Sequence, residues 1–123
     1  MAAKSQIYFT KNFTANLDEI QSFVSVEGRL AFQSLLNRLF NDICPQISRF
    51  PLSGRSFVAH HAGSVEAQEL IERVTERLRT GDDLREFVVD DYVVLYLVGR
   101  TRIYFMAIKH HRQLSFDLRR FWS

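Results

Sequence analysis

Apolar positions along this chain follow two different periods. Residues 92–98 (YVVLYLV) and 103–108 (IYFMAI) are unbroken β-branched and aromatic runs, and Gly99-Arg100-Thr101-Arg102 between them reads as the short connection of a β-hairpin. Neither run alternates apolar with polar residues, so the predicted sheet needs cover on both faces. Residues 84–89 (LREFVV) form a strand that turns through Asp90-Asp91 into this hairpin, and residues 5–10 (SQIYFT) a first strand too brief to stand outside a sheet. The helical period appears between them. Phe13, Leu17, Ile20 and Val24 share one face, Glu27-Gly28 interrupts, and Phe32, Leu35, Leu36, Leu39, Phe40 and Ile43 make a second stripe whose predicted end is Pro45. Residues 48–62 read as a loop with a candidate strand at 56–59, because Phe50-Pro51 and Ser53-Gly54-Arg55 carry turn chemistry. A solvated surface helix is predicted over residues 65–79, with Leu70, Ile71, Val74 and Leu78 on its apolar side and Gly81 closing it.

This order predicts an α+β fold in which an N-terminal strand and an α-hairpin pack on an antiparallel sheet, helices chiefly on one face, with an additional surface helix before the central meander. The 123 residues, 46% of them hydrophobic, suit one domain over residues 1–123 with a sizeable core. Charge changes the picture more than composition does. The formal net charge is +2, but from Gly99 onward six cations face Asp117 alone, giving +5 there and −3 in the first 98 residues. A basic carboxy-terminal quarter predicts an anionic partner, nucleic acid or an acidic protein. The single Cys44 fits a reducing cytoplasm, and neither a membrane-spanning run nor a signal-peptide core is present in the sequence.

The candidate chemistry sits where the last strand ends, at Lys109-His110-His111-Arg112, with Arg55 and Arg85 as further cations able to hold phosphate. Consecutive residues of a regular strand face apart, so His110 and His111 cannot both address one phosphate, and one of them is structural. The same objection applies to His60-His61. No metal-ligand spacing is recognisable among the four histidines and Cys44, so no metal is expected. Glu86 and Arg85 face apart for the same reason.

The segments IYFTKNF, LDEIQSF, ISRFPLSGRSF, LREFVVDDYVVLYLV and IYFMAIKHHRQLSFDL, in that order, resemble the RelE/ParE superfamily of toxins from bacterial type II toxin-antitoxin modules, often described as plasmid stabilisation proteins. The resemblance spans nearly the whole chain except the helix at residues 65–79. It implies a small cytoplasmic toxin that inhibits growth and is held inactive by a cognate antitoxin, with no cofactor, no membrane association and no small-molecule substrate. Within the superfamily the RelE-like branch cleaves ribosome-bound mRNA without metal, and the ParE-like branch blocks DNA gyrase. Val93 stands where RelE itself has an arginine after its tyrosine, and Leu118 falls near the position of its late tyrosine. Lys109-His110-His111-Arg112-Gln113 resembles instead the His-Gly-Arg-Arg element closing the last strand of ParE-like members, with Arg112 matching its first arginine. The expectation is therefore a ParE-like toxin, with gyrase contacted by Arg55, Arg85, Lys109 and Arg112. The alternatives are a nuclease using His110 or His111 as the acid-base group, and an inactive relative that only binds antitoxin. The antitoxin segment is expected to be acidic and amphipathic, wrapping the sheet.

Overall fold

A computed structural model describes residues 5–23, 28–61, 63, 68, 71, 72, 75, 76, 78, 79 and 81–110. Strand β1 (Gln6–Phe9) leads into helix α1 (Lys11–Phe23), followed by α2 (Gly28–Arg38), a π-helical turn (Leu39–Ile43) and α3 (Cys44–Arg49). A short 3₁₀ turn (Pro51–Ser53), β2 (Arg55–Ser56) and α4 (Phe57–His61) come next, then β3 (Asp83–Val89), β4 (Tyr92–Val98) and β5 (Arg102–His110). They build one five-stranded sheet in the order β1-β5-β4-β3-β2. All neighbours are antiparallel except β1, which runs parallel to β5 with Gln6 opposite Arg102 and Phe9 opposite Phe105.

Both faces are covered, each by its own core. On one, Phe13 of α1 and Phe32, Leu35, Leu39, Ile43 and Ile47 of the α2–α3 rod bury Val89, Val94, Tyr96, Ile103, Phe105 and Ile108. On the other, Phe57 of α4 and Ile71 cover Leu84, Leu95, Met106 and Ala107, with Leu78 packed alongside. Of the described residues of the 65–79 span, Gln68, Ile71, Glu72, Thr75 and Glu76 are helical while Leu78 and Arg79 are not, and Ile71 is buried. This segment therefore adds cover to the second face rather than lying wholly in solvent.

Three departures from the sequence expectations have physical causes. The helical rod does not stop at Pro45 but runs to Arg49. The widened turn before it, closed by the Cys44 N–H on the Leu39 carbonyl, lets the chain reach a residue that has no N–H to give and would crowd a regular helix. The candidate strand at 56–59 shrinks to Arg55–Ser56, because the Ser56 hydroxyl caps a helical turn by accepting from Ala59 N–H at 3.2 Å. His60 and His61 consequently lie on a helix, not in a loop.

Where β1 ends, α1 takes over its work along β5. Opposite Leu95 and Tyr96 the β4–β5 register slips, leaving Met106 as an extra residue in β5. Its carbonyl accepts from Asn12 Nδ2 at 2.9 Å and from the Thr10 hydroxyl at 3.2 Å. Two residues on, the Ile108 N–H donates to Oδ1 of Asn16, a side chain only 4% exposed. Thr10 also caps α1 by accepting from Phe13 N–H at 3.2 Å.

Candidate functional site

The residues singled out from sequence fall into two groups on the sheet. Arg55 and Arg85 belong to the β2–β3 edge, where Arg55 lies opposite Glu86 and Ser56 opposite Arg85. Lys109 and His110 close β5 beside Val93 and Tyr92 at the start of β4. Arg85 pairs with Tyr96, four residues along β4 from the Tyr92 that faces His110. That separates the groups by about 13 Å along the strands and about 10 Å across two strand spacings. The structure does not bring them together. His111 and Arg112 lie outside the described residues.

Within the β2–β3 group both guanidinium groups have structural partners. Tyr96 is fully buried, and its hydroxyl accepts from the Gly54 N–H and donates to the Pro51 carbonyl, both at 2.8 Å. Burial raises the phenol pKa above its ordinary value, while the Gly54 N–H pulls it back down. The Gly54 carbonyl in turn accepts from Arg85 Nη1 at 2.8 Å, and Arg85 Nε holds Asp83 at 3.0 Å. Gly54 must be glycine at this contact, since a Cβ would meet the Tyr96 hydroxyl at 2.7 Å and the Glu86 carbonyl carbon at 2.9 Å.

On the other side of β3, Glu86 is 3% exposed. Its Oε2 accepts from Arg55 Nη2 at 3.2 Å and its Oε1 meets His61 Nε2, so a buried carboxylate is matched by two half-exposed partners. Arg85 and Glu86 do face apart, as strand alternation requires. Sequence reading gave Glu86 no role of its own, and the one available signal was a lone carboxylate inside an otherwise apolar strand with two histidines upstream.

At the end of β5, Lys109 and His110 are partly buried. Lys109 Nζ stands 3.9 Å from Glu19 on α1, a pair weak enough to yield to another partner, and the His110 ring sits edge-on to Tyr92 with centroids 5.5 Å apart. Burial, and then the charge of Asp91, raise the Tyr92 pKa. An accessible surface follows β1, one of the two edge strands. Tyr8 and Phe9 are 39% and 40% exposed, Phe40 adds a ring at 5.5 Å from Phe9, and the Arg102 guanidinium lies 5.5 Å over the Tyr8 ring. Among the described residues no strand occupies the outer edge of β1, and no helix is long and apolar enough to cross a membrane.

A family model described as "ParE toxin of type II toxin-antitoxin system, parDE" matches residues 7–115. No protein of curated function matches the chain.

Proposed function

Because the chain belongs to the ParE toxin family of type II toxin-antitoxin systems, we propose that it arrests growth by binding DNA gyrase through the basic end of β5 and the residues beyond it, without breaking a covalent bond. The observation that carries this reading is the dispersal of its cations. Arg55 is committed to Glu86, Arg85 to Asp83 and the Gly54 carbonyl, and Lys109 lies at the far end of the sheet beside Glu19. Metal-free RNA cleavage needs a base, an acid and cations converging on one phosphate, each acid or base contributing about 10²–10⁴ in rate. Arg55, Arg85, Lys109 and His110 do not converge in this way, whereas a docking toxin needs only an accessible basic surface.

The antitoxin fits a different part of the same molecule. An extended acidic segment could add to the open edge of β1, set apolar side chains against Tyr8, Phe9 and Phe40, and pair with Arg102. Pulse labelling after induction separates the targets. An early fall in thymidine incorporation with an SOS response, and inhibition of supercoiling by purified gyrase, support the proposal. An immediate fall in leucine incorporation with cut mRNA supports the nuclease instead. Unchanged growth supports an inactive relative.

A further inference from the structure

Helix α4 holds two consecutive histidines above the one carboxylate that the sheet buries on that face. We propose that His60, His61 and Glu86 form a binding site for a borderline divalent cation, with Zn²⁺ the best fit. One ligand atom from each of the three residues lies within 4.8 Å of the others. A tetrahedral zinc ion needs them roughly 3.4 Å apart, at about 2.0–2.2 Å from the metal. His60 is exposed, and the proposal has its ring turn inward to close that gap.

The local fold makes the pair usable. On a strand the two rings would point about 180° apart, but on α4 they diverge by about 100°. Their centroids are 4.8 Å apart and their planes nearly perpendicular, at 86°. Glu86 is also held as a ligating carboxylate is held: Oε2 is fixed by Arg55, and Oε1 is aimed at the imidazole. Two imidazoles and one carboxylate suit zinc, copper or nickel better than Mg²⁺ or Ca²⁺, which prefer all-oxygen shells. Water would complete the set. Binding would put the metal where His61 and Glu86 now meet each other. The ion would fasten α4 to β3, a link independent of the gyrase reading.

The test uses the full-length chain, stripped with chelator and titrated with zinc chloride by calorimetry. One equivalent should bind, and Co²⁺ should give the visible bands of a tetrahedral site. His60→Ala removes an exposed ring without touching the contacts of Glu86. It should weaken zinc binding at least about tenfold, the lower end of what even an outer-sphere contact is worth, while far-ultraviolet circular dichroism stays unchanged. Zinc should shift the imidazole ¹⁵N resonances of both His60 and His61 and leave those of His110 in place. The proposal is overturned by the absence of saturable binding at micromolar zinc. It is equally overturned by affinity that survives His60→Ala, or by shifts confined to other histidines.

Discussion

Tyr96 shows how much one hydroxyl can hold. It closes the loop before β2 onto the sheet through the Gly54 N–H and the Pro51 carbonyl, and its ring is part of the helix-side core. Tyr96→Phe keeps the ring and strands both partners. The expected loss is about 1–3 kcal/mol in urea unfolding, the cost of leaving a buried donor unmet; a change under about 0.5 kcal/mol would mean that water replaces the hydroxyl. Gly54→Ala should cost at least as much, since its Cβ meets backbone that cannot swing away. Ionisable groups add an alkaline limit. Burial raises Cys44 from 9.0 to about 11, and raises Tyr96 and Tyr92 above 10.0. The folded chain therefore keeps these groups neutral when the unfolded chain has begun to ionise. Their contribution is complete below pH 9 and is lost as pH climbs through the folded values. Urea midpoints should fall from about pH 9 upward, and Cys44→Ala should flatten the first part of that decline. An unaltered slope in the variant would exclude the thiol as its source.

At the scale of elements, the molecule depends on how α1 finishes the edge of β5. Strand β1 covers that edge only as far as Phe9 and Phe105, and beyond it Thr10, Asn12 and Asn16 meet the backbone of residues 105–108. Asn16→Ala leaves the Ile108 N–H buried without an acceptor, so a loss of about 1–3 kcal/mol is expected, together with faster amide exchange at Ile108. Unchanged protection at that amide would show that α1 is attached through Phe13, Leu17 and Ile20 alone. Contacts of this kind mark the limit of what the sequence disclosed. Strands β3, β4 and β5, the stripes of α1 and α2 and the Asp90-Asp91 turn were legible because period and turn residues are local signals; Asp90 indeed takes the left-handed conformation at φ 51. The parallel pairing of β1 joins Gln6 to Arg102 and leaves no trace near either. The helix past Pro45 needed a π turn, which has no sequence signature here, and 57–61 fits a strand or a helix equally until Ser56 caps it. Phe40 looked like core from its place on the stripe. It lies 45% exposed because Leu39, one position earlier, takes the buried direction.

For the whole molecule, the question is which cations meet the target and which only hold the fold together. Arg55 and Arg85 fix β2 and the loop before it to β3, whereas Lys109 ends β5 beside the basic residues that follow. The two groups are far enough apart for substitutions in them to act independently. Lys109→Ala combined with Arg112→Ala should leave the urea midpoint within about 0.5 kcal/mol of the parent. With gyrase as the target, as proposed, the same pair should raise the concentration that half-inhibits supercoiling roughly tenfold or more, the loss of two contacts of about 1 kcal/mol each. Arg85→Ala should do the reverse, lowering stability by about 0.5–1.5 kcal/mol through the lost Gly54 contact while inhibition by the folded fraction persists. Rising salt should weaken the parent more steeply than the Lys109/Arg112 variant, because the variant has fewer charges to screen. If Arg85→Ala abolished inhibition at unchanged stability, the docking surface would have to move to the β2–β3 edge. The end of β5 would then be basic for another reason.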